Sequence, residues 1–114
     1  MELRGHLDLL LLATLRRLGA AHGYAVIAAV RQRSGGAFDL AEGTVYPALH
    51  RLERGGALVS TRQAADAGDG GQGPARARRV YRLTHAGEAM LADQRRRWRA
   101  FVQDVDHVVG PTGD

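Results

Sequence analysis

The first stretch of the chain has the pattern of a helix that is apolar on two sides. Leucines at helical spacing form one wide stripe through residues 1–18, and Leu9 and Leu12 add apolar surface on a second side. In a chain of 114 residues, a second subunit covers such a side more easily than the chain's own fold does. We therefore predict a first helix over residues 1–18 that contributes Leu3 and Leu7 to a dimer interface.

A second amphipathic helix is predicted over residues 23–33. Its inward positions at helical spacing are Tyr24, Ile27 and Val30. A Ser-Gly-Gly run follows and ends the helix, because glycine takes backbone conformations that other residues avoid. The short glycine-bearing turn then leads to a third helix, which is the arrangement of a helix-turn-helix.

The stretch from residue 40 to residue 59 predicts a two-faced helix that runs into a strand. Val45, Leu49 and Leu52 share the side expected to be buried. The opposite side is rich in groups that bond phosphates and base edges. It carries Thr44, Tyr46, Pro47, His50, Arg51 and Arg54. Polar side chains presented on a helix just before a hairpin are typical of the recognition helix of a winged helix-turn-helix.

The position of Pro47 leaves two starting points open for this third helix. With Thr44 as the N-cap, Pro47 occupies the third helical position and loses no hydrogen bond. If the helix starts earlier, near Ala41, Pro47 lies inside it and bends it. Both alternatives are compatible with the sequence.

Two short strands are predicted at residues 58–62 and 79–83, and the segment between them has no apolar residue larger than alanine. Its many glycines predict a long hairpin loop. The end of the loop and the start of the second strand carry a cationic arm, formed by Arg76, Arg78 and Arg79. Arginines suit backbone or minor-groove contacts to DNA. The alternative is a solvated linker.

The chain is predicted to be helical again from Thr84, a natural N-cap, to about Val109. Apolar positions three and four residues apart along this helix form the seam pattern of a coiled coil, with one polar break. The seam consists of Leu91, Gln94, Trp98, Phe101, Val105 and Val108. A helix of about 26 residues spans roughly 39 Å, which exceeds what a domain of this size covers. We therefore expect the seam to pack against a symmetry-related copy.

These elements predict a mainly α fold with a small β-hairpin wing, an α+β winged helix-turn-helix with a long C-terminal helix. Residues 1–83 are expected to form the DNA-binding domain and residues 84–110 the dimerisation helix, with residues 111–114 as a tail. The formal net charge of +4 favours a polyanionic partner, and all sixteen basic residues are arginine. That composition suits bidentate contacts to phosphate and guanine, although a coding bias in the source genome explains it at least as well.

Composition and spacing exclude several other classes of function. The chain has no cysteine, so disulfides, thiol catalysis and cysteine-ligated zinc are excluded. The five histidines lie on different predicted elements without the i, i+4 pairing of a metal-binding helix, and no glycine-rich nucleotide motif is present. We predict no enzyme activity, no cofactor and no metal. Without an apolar run that approaches a membrane span or a signal peptide, we expect a cytoplasmic protein.

Each candidate contact with DNA has a specific role. Thr44 and His50 can donate to phosphates or base edges, and Arg51 can fork onto a guanine in the major groove. For Tyr46, packing of the ring against the second helix is an equally strong alternative. For Tyr24, packing in the core is favoured over contact with a phosphate.

The motifs GTVYPALHRLE and YRLTHAG together are similar to the most diagnostic parts of the PadR family of bacterial transcriptional regulators. The opening RGHLDLLLLATL followed by HGYAVI also resembles that family, so the likeness covers nearly the whole chain. The single C-terminal helix resembles the short branch of the family. The wing loop departs from the family pattern because it is longer, richer in glycine and more acidic.

The resemblance implies a homodimer that binds a pseudo-palindromic operator, usually as a repressor, and that a small aromatic effector releases. In the drug-binding members, a tryptophan on the last helix stacks on the ligand at the dimer centre. Trp98 resembles that position, and Leu7, Leu11 and Phe101 are its candidate neighbours. The alternative for Trp98 is plain interface packing. The alternative for the whole chain is a module on the same fold that sequesters a ligand or binds a protein without specific DNA binding.

Overall fold

The computed structural model describes residues 6–64 and 77–110 and arranges them as helices around a two-stranded antiparallel sheet. In chain order the elements within these ranges are α1 (Leu7–Leu18), α2 (Gly23–Arg33), α3 (Glu42–Arg54), β1 (Leu58–Ala64), β2 (Ala77–Leu83) and α4 (His85–Val109). The predicted fold class, mainly α with a β-hairpin wing and a long final helix, is confirmed. Leu3 lies outside the described residues.

The hydrophobic core joins α1, α2, α3 and the hairpin. Leu11 and Leu15 of the predicted leucine stripe are completely buried, and so is Leu12 from the second apolar side of α1. The chain therefore covers part of that second side by itself, and the burial of Leu12 needs no second subunit. Leu9 is half-buried, whereas Leu18 at the end of α1 is 42% exposed.

The second helix has the predicted bounds, but its buried side differs from the prediction. Val26 and Val30 are buried, Ile27 is half-buried, and Tyr24 is 55% exposed. The prediction that Tyr24 points into the core is wrong, because Val26 faces the core instead. The helix begins at an N-cap, His22, whose Nδ1 lies 3.3 Å from the backbone N–H of Ala25.

The third helix uses the earlier of its two predicted starting points. Its N-cap is Ala41, so Thr44 lies in the first turn and Pro47 lies inside the helix. Proline has no backbone N–H, and the carbonyl of Gly43 therefore receives no hydrogen bond from residue 47. The buried positions Val45, Leu49 and Leu52 are as predicted.

The hairpin strands each extend two residues further toward the loop than predicted. Leu58 pairs with Leu83 at the base, and Ala64 pairs with Ala77 at the end of the described sheet. The backbone of Ala21, between α1 and α2, pairs with Tyr81 through hydrogen bonds of 3.0 and 2.8 Å. This bridge ties the wing to the first two helices. Residues 65–76 of the loop, with Arg76, lie outside the described residues.

The base of α4 is fixed against the body of the domain. The Thr84 hydroxyl accepts a hydrogen bond from the backbone N–H of Gly87 at 3.0 Å and donates one to the carbonyl of Gly56 at 2.6 Å. Helix and hairpin base approach so closely that a Cβ atom on Gly87 would lie 2.0 Å from the Ala57 carbonyl oxygen. Leu91 is buried one turn later. The first half of α4 is thus part of the fold of the single chain.

Candidate DNA-binding surface and neighbouring cavity

The helix α3 presents one continuous polar face to solvent. Its predicted contact residues Thr44, Pro47, His50 and Arg51 are all exposed, and Val45 and Leu49 on the opposite side are buried in the core. The structure therefore brings most of the predicted recognition residues together. We call the four exposed residues the α3 face. Their hydroxyl, imidazole and guanidinium groups are those that bond phosphates and base edges.

Tyr46 adopts the packing role that was one of its two predicted alternatives. Its side chain is half-buried, and a Cβ atom placed on Gly23 would lie within 2.6–2.7 Å of its ring and hydroxyl. The absence of a side chain at residue 23 therefore creates the space in which α3 approaches α2. Burial raises the pKa of the Tyr46 hydroxyl above its ordinary value of 10.0. Contact between Tyr46 and DNA stays a prediction.

Tyr24 lies at the edge of the α3 face. Its ring meets that of Tyr46 edge-on, with centroids 6.2 Å apart. The pKa of its hydroxyl is raised, mainly because the Glu42 carboxylate favours the protonated form as a hydrogen-bond donor. An exposed phenol beside the start of α3 is compatible with the predicted phosphate contact, which stays a prediction.

Arg51 makes the most extensive polar contact between helices among the described residues. Its Nη1 and Nη2 donate to the two carboxylate oxygens of Asp8 at 3.0 and 2.6 Å, in a fork across α3 and α1. These bonds raise the pKa of the Arg51 guanidinium. Bidentate hydrogen bonding of Arg51 to a guanine therefore requires the guanidinium to release Asp8. Sequence reasoning missed Asp8, since 43 residues separate the two partners.

The arginines of β2 differ in their contacts. Arg79 is exposed, and its Nη1 donates to the Ser60 hydroxyl at 3.0 Å, which in turn donates to the Glu53 carboxylate. Glu53 therefore connects α3 to the wing through Ser60. Arg78 is half-buried with its Nη1 3.1 Å from Nε2 of His22. A neutral imidazole has one acceptor nitrogen, so His22 accepts from Arg78 or from the backbone of Ala25, but not from both.

A cavity of about 400 Å³ borders the α3 face at Arg51 and lies between the start of α1 and the middle of α4. Trp98 forms one wall, with its ring centroid 4.8 Å from that of His6 and 6.0 Å from that of Phe101. The Asp8–Arg51 pair forms another wall. We call this space the Trp98 cavity. Leu11 is completely buried in the core, and neither Leu11 nor Leu7 lines the cavity.

The predicted dimer-interface residues divide between the two halves of α4. Leu91 is 4% exposed and packs inside the single chain, so little of its surface remains for the predicted interface. Gln94, Trp98 and Leu7 are half-buried. Beyond them, Phe101, Val105 and Val108 are 50%, 39% and 88% exposed. The most exposed part of the seam is therefore its C-terminal end.

Within residues 6–64 and 77–110, no group of three or more histidine or acidic side chains is arranged to hold a metal ion. In the same ranges, no helix combines the length and apolar character that a membrane span requires.

Residues 11–93 match the model of the transcriptional regulator PadR-like family. The chain is 43% identical over 68 residues to the transcriptional regulator Rv3488 of Mycobacterium tuberculosis, a match that covers 60% of this chain and 56% of the relative. It thus spans a little over half the length of that relative. It is also 28% identical over 104 residues to an uncharacterised protein of Lysinibacillus sphaericus, covering 91% of this chain and 88% of the other.

Solved structures agree with this match. A PadR family transcriptional regulator from Eggerthella lenta superposes with a TM-score of 0.74 at 28% identity, covering 96% of this chain and 86% of the other. A regulator from Clostridium thermocellum has the same fold, with a TM-score of 0.80 at 23% identity over 95% and 94% of the two chains. Bacillus subtilis PadR, solved in complex with operator DNA, shares the fold at a TM-score of 0.64 and 22% identity, over 77% of this chain and 44% of the other. The family consists of transcriptional regulators rather than enzymes, and this chain belongs to the PadR-like family of transcriptional regulators.

Proposed function

We propose that this regulator binds a pseudo-palindromic DNA operator as a homodimer and represses transcription. The observation that carries the proposal is the α3 face, a set of exposed hydroxyl, imidazole and guanidinium groups on a helix whose other side is anchored in the core. The described fold is shared with Bacillus subtilis PadR, which was solved with operator DNA. A net charge of +4 favours approach to a polyanion.

In the proposed complex, α3 enters the major groove and the hairpin wing follows the phosphate backbone. Thr44 and His50 reach base edges or phosphates from the first and third turns of the helix. Arg79, together with Arg76 and Arg78, supplies wing contacts to phosphates or to the minor groove. Tyr24 bonds a phosphate beside the start of α3. Arg51 contributes to DNA binding after it exchanges Asp8 for a phosphate or guanine.

Dimerisation is proposed through α1 and α4. The exposed apolar side chains at the C-terminal end of α4 favour burial against a second copy, because they lie together on a helix that extends past the domain. In this arrangement residues 1–83 bind DNA and residues 84–110 set the distance between the two α3 helices. We infer a cytoplasmic location because a bacterial regulator acts at the chromosome.

An aromatic effector is proposed to enter the Trp98 cavity. Rings of Trp98 and Phe101 provide stacking surfaces, and the cavity has room for a small molecule. The Asp8–Arg51 pair links the cavity wall to α3, so a ligand that displaces either side chain alters how firmly α3 is held against α1. The two arrangements of α3 then differ in their affinity for DNA, as release of a repressor requires.

Fluorescence anisotropy tests the DNA-binding proposal. Labelled duplex from upstream of the protein's own coding region is titrated against a scrambled duplex of equal length across a salt series. We expect much tighter binding to the native duplex, with affinity that falls steeply as salt rises. Equal and weak binding to both duplexes indicates only a nonspecific basic surface. If neither duplex binds at low salt, the proposal fails and a ligand-sequestering module becomes the better account.

A further inference from the structure

The register of the hairpin places two arginines directly opposite each other. Arg62 of β1 pairs with Arg79 of β2, and both side chains are exposed. Side chains directly opposite on antiparallel strands have Cβ atoms about 4.5–5.5 Å apart, and two like charges at that spacing destabilise the sheet. No carboxylate within residues 6–64 and 77–110 forms a salt bridge with either guanidinium. We call Arg62 and Arg79 the arginine pair. An anion bound between the two guanidiniums would compensate their repulsion.

The arginine pair lies on the face of the hairpin that is turned toward α3. Side chains two residues apart along a strand share a face, so Ser60 and Tyr81 lie on this face one step closer to the hairpin base. Ser60 donates to the Glu53 carboxylate of α3, and the ring centroid of Tyr81 lies 6.5 Å from that of His50. A step of two residues advances about 6.8 Å along a strand. The arginine pair is therefore close enough to the α3 face for one DNA duplex to contact both.

The same register separates two arginines that the sequence assigned to one cationic arm. Arg78 points to the opposite face of the hairpin from Arg79, and its Nη1 lies 3.1 Å from Nε2 of His22. Arg62 is absent from the predicted arm, because strand pairing and not sequence distance brings it beside Arg79. On the face turned toward α3, the neighbour of Arg79 is thus Arg62 and not Arg78.

The guanidinium of Arg79 is oriented by a chain of two hydrogen bonds. Its Nη1 donates to the Ser60 hydroxyl at 3.0 Å, and that hydroxyl donates to the Glu53 carboxylate. Because the hydroxyl hydrogen of Ser60 is directed at Glu53, the oxygen lone pairs are left to accept from Arg79. A guanidinium has five N–H donors, and this contact uses one of them. Arg79 is therefore held in place while most of its donors stay available to a ligand.

We propose that the arginine pair binds a single DNA backbone phosphate, with one guanidinium on each of the two free phosphate oxygens, and that Ser60 positions Arg79 for this contact. The inference rests on the DNA binding of the proposed function. It adds Arg62 as a contact residue, Ser60 as a positioning residue and the number of phosphates that the pair engages. Hydrogen bonds from arginine to phosphate are charge-assisted, and such contacts fix the position of a protein on the duplex without reading its sequence.

Anisotropy titrations of the full chain across a salt series test the phosphate site on the native upstream duplex and the scrambled duplex. The variants are Arg62→Ala, Arg79→Ala and the two combined. Arg82→Ala, which removes an exposed arginine from the other face of β2, is the matched control. The slope of log affinity against log salt concentration changes by about 0.9 for each phosphate neutralised. We expect the combined variant to reduce the slope by about 0.9 per bound protomer and to weaken binding to both duplexes alike. Arg82→Ala should leave the slope unchanged.

Thermal unfolding of the free protein gives a readout that a structural role would not. Because the two charges repel when no DNA is bound, Arg62→Ala should raise the melting temperature at low salt while it weakens DNA binding. An arginine that only stabilised the wing would lower both.

The positioning role of Ser60 is tested in two backgrounds. Ser60→Ala is expected to weaken DNA binding in the wild-type chain and to have little further effect in the Arg79→Ala chain, because its role acts through Arg79. Ser60→Thr keeps the hydroxyl and should retain binding. An equal loss in both backgrounds would make Ser60 a structural residue and overturn its assigned role.

The remaining outcomes separate the phosphate site from DNA binding itself. If the wild-type chain binds neither duplex at low salt, both proposals fail. If the wild-type chain binds the native duplex and Arg62→Ala behaves like Arg82→Ala, the phosphate site is wrong while DNA binding stands. A slope change of about 1.8 per protomer in the combined variant would indicate two separate phosphates. A loss confined to the native duplex would indicate contact with bases. Either of these results overturns the shared phosphate.

Discussion

Two exposed surfaces of this chain differ in the kind of partner that they can bind: the α3 face, and residues 101–109 of α4, which we call the distal segment. The α3 face offers hydroxyl, imidazole and guanidinium groups above a buried row of Val45 and Leu49. The distal segment offers Phe101, Val105 and Val108 with no core beneath them. One surface is rigid and polar, and the other is apolar and extends from the domain. We infer that the first binds a hydrophilic polyanion and the second binds protein.

The same contrast appears within α4 itself. Its first half is fixed by the close approach of Gly87 to Ala57, by the burial of Leu91 and by the pair formed by Arg16 and Glu88 at 3.1 Å. In its second half, Trp98 and Phe101 lie against the His6 ring, and residues 102–109 are an equally regular helix with exposed side chains. Helical geometry alone therefore does not indicate whether a segment belongs to the protomer or to an assembly. The position of its apolar residues relative to the core makes that distinction.

The largest effect is expected from removing the apolar character of the distal segment. Phe101→Ala combined with Val105→Asp removes the centre of that apolar surface and introduces a charge that the interface would have to desolvate. We expect the dimer dissociation constant to rise at least about a hundredfold, with operator affinity falling because one α3 helix is lost per complex. Gln103→Ala with His107→Ala, on the other side of the segment, is the matched control. An unaltered dimer in the first variant would contradict the proposed role of the segment.

Truncation of the α3 face is expected to give the next largest effect. Thr44→Ala and His50→Ala each remove a group positioned for base edges or phosphates, and a good contact of this kind contributes about 1–3 kcal/mol to discrimination between bases. Operator affinity should fall about tenfold or more for each variant, while binding to the scrambled duplex changes little. Sedimentation should show an intact dimer in both. If affinity for operator and scrambled DNA falls equally, these residues contact only phosphates.

A smaller effect is expected from breaking the Asp8–Arg51 pair. The direction in which DNA affinity changes indicates whether Arg51 contacts DNA. The pair is partly exposed, so Asp8→Ala should lower the free energy of unfolding by no more than about 1 kcal/mol. If Arg51 contacts DNA, Asp8→Ala frees it and strengthens binding, whereas Arg51→Ala weakens binding. If both variants change stability alike and leave DNA affinity unchanged, Arg51 is a structural residue. Urea unfolding and anisotropy on the same samples separate the two cases.

The smallest effect is expected in the core from Tyr81, whose ring centroid lies 6.5 Å from that of His50. Tyr81 is completely buried, and its hydroxyl has no protein hydrogen-bond partner in residues 6–64 and 77–110. Tyr81→Phe should therefore change the free energy of unfolding by less than about 1 kcal/mol and leave dimer and operator affinity unchanged. A loss of several kcal/mol would show that the hydroxyl has an essential partner.

Alkaline pH provides a second readout for Tyr81. Burial raises the pKa of its hydroxyl above 10.0, so the folded state holds this proton more tightly than the unfolded state does. The stability associated with the protonated hydroxyl is complete below pH 10 and is lost as pH rises through the folded-state pKa. Unfolding free energies measured at pH 9 and pH 11 should accordingly fall less for Tyr81→Phe than for the wild-type chain. An equal fall in both would indicate that other groups account for the alkaline loss.

Most of the fold was predictable because its signals are local. Helical spacing gave the bounds of α2, the threonine before α4 marked its first turn, and the glycine-rich segment separated the two strands. The buried row Val45, Leu49 and Leu52 followed from the same spacing. Each of these depends on residues close to one another in the sequence.

The features that escaped prediction depend on contacts between distant residues. Tyr24 matched the helical spacing of an inward residue, but the packing of α2 on the core selected Val26, and the Tyr24 ring lies against Tyr46. The contact of Arg51 with Asp8 joins α3 to α1, and nothing in either local sequence announces it. For α3, the sequence left two starting points open, and the structure has the earlier one, with Ala41 as the N-cap and Pro47 inside the helix.

Hydroxyl-radical footprinting of an isolated operator by the wild-type and Phe101→Ala/Val105→Asp proteins tests whether two α3 faces act together, held apart by paired α4 helices. We expect the wild-type protein to protect two patches centred about one helical turn, roughly 34–36 Å, apart on one side of the duplex. The double variant should lose both patches at the concentration that saturates the wild-type footprint. A single protected patch, or a footprint that the double variant reproduces, would contradict the account.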